Sequence, residues 1–106
     1  MFRIAKLSDH EYAQAYVRLY DDGTIELISY STLVARISPA GWLEVTGLYS
    51  RTTIKHLGWF MKRYTSSTYY SAKKCVSDDM LFNVFTGEFK PSKEFSYDND
   101  EYRELA

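Results

Sequence analysis

Cysteine and proline are scarce in this sequence, and its glycines are scattered singly. The 106 residues contain one Cys, two Pro and five Gly. The one cysteine, Cys75, cannot form a disulfide within the chain, so nothing indicates an oxidising compartment. Isolated glycines exclude a glycine-rich phosphate-binding loop. These absences remove disulfide-stapled domains and the glycine-rich type of nucleotide-binding loop from consideration.

Long apolar runs are absent as well. None approaches the ~18 residues that cross a bilayer. The first twelve residues, MFRIAKLSDHEY, lack the apolar stretch of a signal peptide. We therefore expect a cytoplasmic protein that makes no membrane contact.

Recognisable catalytic and metal-binding motifs are also missing. His10, His56 and Cys75 do not have the spacing of metal ligands. No Ser, Cys or carboxylate pair lies in a known catalytic motif. Neighbouring Lys74 can lower the pKa of the Cys75 thiol, although a structural thiol is the simpler interpretation. We expect no cofactor and no enzymatic activity, with the reservation that distant residues can assemble a site.

The first half of the chain has the alternating pattern of antiparallel strands. Predicted strands cover residues 12–20, 24–30, 31–37 and 42–46, with turn sequences between them. Ser8 and Glu11 form a capping box, so a helix beginning at Ser8 is an alternative for the residues before Tyr16.

The second half begins with a helix, because apolar residues recur at steps of three and four between residues 51 and 64. Gly58 inside it suggests that the sheet approaches closely there. A second short helix over 69–76 is an option, and 80–85 reads as a strand. We predict one α+β domain over residues 1–90, in which an antiparallel meander of three to five strands packs against one main helix. Residues 91–106 are predicted to form an acidic, flexible tail.

Charge is strongly segregated, although the net charge is only −1. Residues 51–76 have a charge of +6 with no Asp or Glu, whereas the chain from Pro91 onward has −3. The six cations are Arg51, Lys55, Lys62, Arg63, Lys73 and Lys74. This asymmetry predicts an acidic partner. Alternatively the two blocks face each other, or the tail covers the basic block until a partner displaces it.

The start of the predicted helix is the first candidate site. It comprises Ser50, Arg51, Thr52, Thr53, Lys55 and His56. Ser50 is a good N-cap, but cations at the electropositive end of a helix are unfavourable. A bound phosphate or carboxylate would remove that conflict. In the alternative interpretation the cations lean into solvent or pair with Glu44, and His56 serves packing.

Two further surfaces carry aromatic and basic residues together. On the first strand, Tyr12, Tyr16 and Tyr20 share a face with Arg18, which suits base stacking or protein contact. That face is alternatively covered by the C-terminal half of the chain. Basic and aromatic residues also alternate from Lys62 to Lys74, as on nucleic-acid-binding surfaces, or simply as a solvated face.

Two segments resemble an uncharacterised family of small proteins from bacteriophages and other mobile elements. The family pattern is S-Y-x-T-x-V-A, a turn, then Y-S-x-T-T-x-K-H and an apolar helix. The matching positions are Ser29, Tyr30, Thr32, Val34, Ala35, Tyr49, Ser50, Thr52, Thr53, Lys55 and His56. The segment Phe82–Phe89 is also similar to such proteins. The resemblance implies a phage setting, and hence the cytoplasm of a bacterial host, without implying an activity.

Together these observations favour a small non-enzymatic phage protein that binds and blocks a host protein or ribonucleoprotein complex. An anti-CRISPR-like inhibitor of a host defence system is a concrete version. The first alternative is a nucleic-acid-binding accessory protein that uses the basic, Tyr-rich surface. The second is a nucleotide- or phosphate-binding protein that uses the helix start at residues 50–56.

Overall fold

The computed structural model describes residues 1–7 and 14–92, which form a sheet with two helices. The elements in chain order are β1 (Phe2–Lys6), β2 (Ala15–Tyr20), β3 (Ile25–Ser29), β4 (Thr32–Ile37), β5 (Trp42–Val45), α1 (Arg51–Tyr64), α2 (Tyr69–Ser77), β6 (Met80–Asn83) and β7 (Phe89–Pro91). The strands make one seven-stranded antiparallel sheet in the order β1 to β7. The α+β class is confirmed, but the sheet has seven strands rather than three to five, and α2 is a second helix.

The two strands that the sequence did not predict lie at the sheet edges. Most side chains of β1 are exposed, so its burial pattern is weak and backbone pairing with β2 defines it. Strand β7 is three residues long and ends in Pro91. Proline has no backbone N–H to donate to a neighbouring strand, so within a sheet it is tolerated mainly on edge strands. Edge position therefore explains both omissions.

Strands β2 and β6 differ most from their predicted bounds, whereas the other predicted elements differ by at most one residue at either end. Residues 15–20 are a strand, whereas the capping-box alternative at Ser8 falls on residues 8–13, outside the described part. Strand β6 ends at Asn83 rather than at residue 85. The Asn83 side-chain oxygen accepts hydrogen bonds from the backbone N–H groups of Phe85 and Thr86, at 2.9 and 3.0 Å. These hydrogen bonds hold residues 83–86 in a turn, so the strand ends at Asn83.

Helix α1 packs its apolar face on the sheet and turns its cations outward. Leu57, Phe60 and Met61 are fully buried and belong to one core with Leu27 and Leu43 of the sheet. Helix α2 adds Ala72 and Cys75 to the same core. The sheet and both helices therefore contribute side chains to one core. For α1, the apolar spacing of its sequence predicts this packing.

The turn between β3 and β4 holds two residues in an unfavourable conformation. Tyr30 has φ 51° and Ser31 has φ 76°, both in the left-handed region. A two-residue hairpin favours positive φ at both positions, and Asn-Gly is the usual solution. Tyr and Ser adopt it here at a cost of order 1 kcal/mol or more each.

Gly58 does not mark a close approach of the sheet. A methyl group built at this glycine would meet no atom within 4 Å. The predicted packing reason is therefore wrong, and the glycine simply weakens the middle of α1. We expect Gly58→Ala to raise the free energy of unfolding by about 0.5–1 kcal/mol, the difference in helix propensity. Denaturant unfolding at fixed pH measures this, and unchanged or lower stability would contradict it.

Candidate functional site

The six cations of residues 51–76 form the most distinctive surface of the described chain, which we call the basic face. Arg51, Lys55, Lys62, Arg63, Lys73 and Lys74 are all exposed. Where both partners are described residues, the ion pairs of the chain join Arg18 and Arg36 to Glu26, and none involves the basic face. The pairing with Glu44 considered from the sequence is thus not formed.

Three of these cations follow one line along α1. Arg51, Lys55 and Lys62 are separated by four and seven residues, so the helical period places them on one outward stripe. Arg63 lies to one side, where its Nη1 donates to the Leu7 carbonyl at 3.4 Å. On α2, the ammonium of Lys74 sits 5.0 Å from the centroid of the Phe89 ring.

The first turn of α1 is capped as predicted. The N–H of Thr53 donates to the Ser50 hydroxyl oxygen at 3.1 Å, and that hydroxyl lies 3.1 Å from the Thr53 hydroxyl oxygen. No acidic residue occupies this turn. Because the two hydroxyls bind each other, they are already partnered. An incoming anion would therefore meet mainly Arg51, Thr52 and Lys55.

Two of the predicted site residues point into the protein instead of toward solvent. Thr53 is 4% exposed and His56 is 2% exposed. A hydrogen bond of 2.8 Å joins His56 Nδ1 to the Ser29 hydroxyl of β3. Burial, helped by the charge of Lys55, lowers the pKa of His56 below its usual value. His56 therefore anchors α1 to the sheet as a neutral imidazole.

This anchoring predicts a pH-dependent stability. The unfolded chain, with an ordinary histidine pKa of 6.5, binds a proton more readily than the fold does. Well above that pH, His56 is neutral in both the folded and the unfolded chain, so its pKa difference does not change the free energy of unfolding. As the pH falls below 6.5, the unfolded chain takes up the proton first, and the free energy of unfolding should fall. Denaturant unfolding at pH 7.5 and pH 5 compares the wild type with His56→Gln, which cannot become charged. The difference between the two proteins should be greater at pH 7.5. A constant difference would contradict a lowered pKa.

Around His56 lies an aromatic group that the sequence did not single out as a site. The His56 ring centroid is 5.9 Å from that of Tyr30 and 5.5 Å from that of Trp59. The Lys55 ammonium lies 5.1 Å from the Trp59 centroid. Tyr30, at the strained turn, is 55% exposed. We call these four residues the Tyr30 platform.

Sequence reasoning had a signal for this platform but not its geometry. Ser29 and Tyr30 belong to the first segment of the family pattern, and Lys55 and His56 to the second. The fold joins the segments through the Ser29–His56 hydrogen bond and the Tyr30–His56 ring contact. The apolar spacing of residues 51–64 predicts only that Trp59 packs on the core side of the helix.

The tyrosine row of β2 lies on a different surface. Tyr16, Arg18 and Tyr20 alternate along the strand and share one face, as predicted. Tyr12 falls outside the described residues. The Tyr20 hydroxyl donates to Glu26 at 2.7 Å, and Arg18 approaches the same carboxylate at 3.5 Å. Part of this row is therefore engaged within the chain.

Glu26 is the centre of that cluster and is only 4% exposed. Arg36 donates to it from two nitrogens, at 3.0 and 2.9 Å. Burial alone would raise the pKa of Glu26, but hydrogen bonds from Tyr20 and Arg36, with the charges of Arg36 and Arg18, outweigh it and lower the pKa. The cluster is thus an ionised structural group rather than an acid poised for catalysis.

Other chemically notable groups give no reactive site. Cys75 is buried, and burial raises the pKa of its thiol to about 11, opposite to an activated cysteine. Within residues 1–7 and 14–92, no three His, Cys, Asp or Glu side chains are grouped to hold a metal ion. No helix in these residues is long and apolar enough to cross a membrane.

One open cavity of about 380 Å³ lies at the end of α1. Its lining comprises Arg63, Tyr64, Thr65, Ser66, Val84 and Phe85. Arg63 is the only charged group among them. The cavity therefore extends the basic face rather than forming a separate reactive centre.

Comparison with known proteins identifies a family but no activity. No curated protein and no solved structure matches the chain significantly. Residues 4–77, more than half of the chain, match the profile of one protein family. The chain belongs to this family, which is described as Family of unknown function (DUF8033).

Proposed function

We propose that this chain is a non-enzymatic binding protein that attaches to a host macromolecule through the basic face and blocks it. The observation that supports this is the exposure of six cations, none of which has a carboxylate within 4.0 Å in the described part of the chain. The like charges that share the stripe on α1 repel each other. An acidic partner would relieve that repulsion.

The electrostatics favour a partner with a dense negative charge. The described residues carry eleven Lys and Arg against seven Asp and Glu, although the whole chain is at −1. The local positive charge of the basic face accelerates encounter with an acidic surface and disfavours basic ones. A host protein or ribonucleoprotein complex with an exposed acidic or phosphate-rich surface fits this description.

The phage setting is part of the proposal and rests on the sequence resemblance alone. A phage protein that attaches to a host complex without catalysis would act by occluding a surface. An inhibitor of a host defence system, similar in strategy to anti-CRISPR proteins, is the concrete form. It would require no cofactor.

A second candidate is a nucleic-acid-binding accessory protein. Exposed aromatic rings stand among the cations, with Tyr30 at 55% and Tyr70 at 75% exposure. Surfaces that bind single-stranded nucleic acid typically combine aromatic rings with Lys and Arg side chains. The third expectation, a phosphate site at residues 50–56, has less support because Thr53 and His56 are buried.

An affinity capture from bacterial lysate tests the proposal. The bait is the tagged protein, and the matched control carries Gln at all six positions of the basic face. A protein target should be retained after nuclease treatment and lost with the control bait, whereas a nucleic-acid target should be lost after nuclease. Identical captures by the two baits would contradict a role for the basic face.

A further inference from the structure

The strained turn at Tyr30 and Ser31 is the first observation that points to a more specific ligand. Neither residue is Gly or Asn, yet both have positive φ. Residues held in sparsely populated conformations concentrate at binding and catalytic sites, where the surrounding structure maintains them. Here the turn projects an aromatic ring, 55% exposed, at the end of the β3–β4 hairpin.

The second observation is the support beneath that ring. His56 is 2% exposed and is fixed to Ser29 of β3 by a 2.8 Å hydrogen bond. Its ring contacts both Tyr30 and Trp59, at 5.9 and 5.5 Å between centroids. Tyr30 is therefore an exposed ring held against buried structure. A preorganised ring loses little conformational entropy when a ligand packs on it.

The third observation is the position of the platform beside the charged stripe. On α1, His56, Trp59 and Lys55 follow one another around the helix from the buried side toward the exposed side. Lys55 contacts the Trp59 ring and also belongs to the stripe with Arg51 and Lys62. The exposed ring and the line of cations thus share one surface.

We propose that the Tyr30 platform stacks an unpaired nucleobase while Arg51, Lys55 and Lys62 contact neighbouring phosphates, so that the basic face binds single-stranded nucleic acid. This inference rests on the proposed use of the basic face and specifies the chemistry of its partner. The strand belongs to a host ribonucleoprotein or to free nucleic acid, which have the same bases and phosphates.

A single strand fits these groups better than a duplex or an acidic peptide does. In a duplex the base faces are stacked on each other, so an exposed ring cannot reach them without unstacking. An acidic peptide would pair with the cations but offers carboxylates, not a flat π surface, to Tyr30. Base stacking on an aromatic side chain is sequence-tolerant because every base has a π face.

Fluorescence anisotropy with labelled dT20, rU20 and a 20-base-pair duplex tests the inference. We expect the single strands to bind more tightly than the duplex, and the comparison of dT20 with rU20 to show whether DNA or RNA is preferred. Tyr30→Ala should weaken single-strand binding about 5- to 150-fold, the measured range for loss of one stacked base. Tyr30→Phe keeps the ring and should bind like the wild type.

Two further measurements separate stacking from charge and from misfolding. Tyr30→Ala should leave the salt dependence of binding unchanged, whereas Lys55→Gln should reduce its slope by about 0.7 for one lost phosphate contact. Ser31→Gly relaxes the turn without touching the ring, so it should be more stable than the wild type and bind equally well. That variant shows whether turn conformation or the Tyr30 ring controls binding.

Tighter binding of the duplex, or equal binding by Tyr30→Ala and the wild type, would overturn the inference. Both outcomes leave the proposed function intact as long as the six-Gln bait loses its partner in the capture experiment. Absence of binding to all three probes would also overturn the inference. The proposed function would be contradicted only by a separate result, in which the wild-type and six-Gln baits capture the same partners.

Discussion

Replacing Phe60 with Ala is expected to lower the free energy of unfolding by about 3–5 kcal/mol, the usual range for a buried phenylalanine. Phe60 is fully buried in the core that α1 shares with the sheet, and its ring lies 5.5 Å from that of Tyr64. The substitution removes apolar contact and leaves a cavity that the surrounding strands cannot fill. Domains of this kind have a total stability of about 5–15 kcal/mol, so the variant should be largely destabilised.

Denaturant unfolding of Phe60→Ala measures this loss, with Tyr70→Ala as the control. Tyr70 is another aromatic residue of the helical layer but is 75% exposed, so its loss should change stability by less than about 0.5 kcal/mol. Similar effects of both substitutions would mean that α1 does not pack on the sheet as described.

Neutralising the stripe of α1 is expected to have the largest effect on binding. In the triple variant Arg51→Gln, Lys55→Gln and Lys62→Gln, three phosphate contacts would be lost. On a single strand each contact contributes about 0.7 to the slope of log affinity against log salt, so three correspond to roughly 100-fold weaker binding at about 0.1 M salt. Salt titrations with dT20 or rU20 measure both the affinity and the slope.

The control for that variant removes equal charge elsewhere. In the control variant Arg3→Gln, Lys6→Gln and Lys90→Gln, the replaced cations belong to the edge strands β1 and β7 and not to α1. General electrostatic attraction would weaken equally in both triple variants, whereas a localised site would weaken only in the first. Equal loss in the two variants would contradict binding along α1.

Stability separates a binding role from a structural one for the same residues. Arg51 and Lys55 are like charges four residues apart on a helix, an arrangement that costs about 0.2–0.5 kcal/mol. Neither has a carboxylate partner in the described part of the chain. The stripe variant should therefore unfold at an equal or slightly higher denaturant concentration while it binds less. A large loss of stability would indicate that the cations support the fold instead.

Much of the fold follows from patterns local in sequence. Alternating apolar residues predicted β2 to β5, and the three- and four-residue spacing predicted α1 with its boundaries at Arg51 and Tyr64. Ser50 was recognised as the N-cap, and Thr53 does donate to it. These succeed because hydrogen bonding and burial along one element depend on residues a few positions apart.

Apart from the end of β6, which the local Asn83 turn explains, the failures concern partners that are distant in the chain. Strand β1 has little burial of its own, and β7 exists because it pairs with β6. Gly58 looked like a packing position, yet no sheet atom lies near it. Predictions of what an element contacts require the three-dimensional arrangement, which periodicity does not encode.

The candidate site divides in the same way. The amino-acid sequence by itself determined that six cations are grouped without acids, because charge and helical spacing are local properties. Only the tertiary structure decided that His56 turns inward to Ser29, that Thr53 is covered, and that the His56 ring contacts both Tyr30 and Trp59. The reason is physical: residues 29–30 and 53–59 meet only after α1 packs across the sheet, since that packing is driven by nondirectional apolar burial spread over many residues.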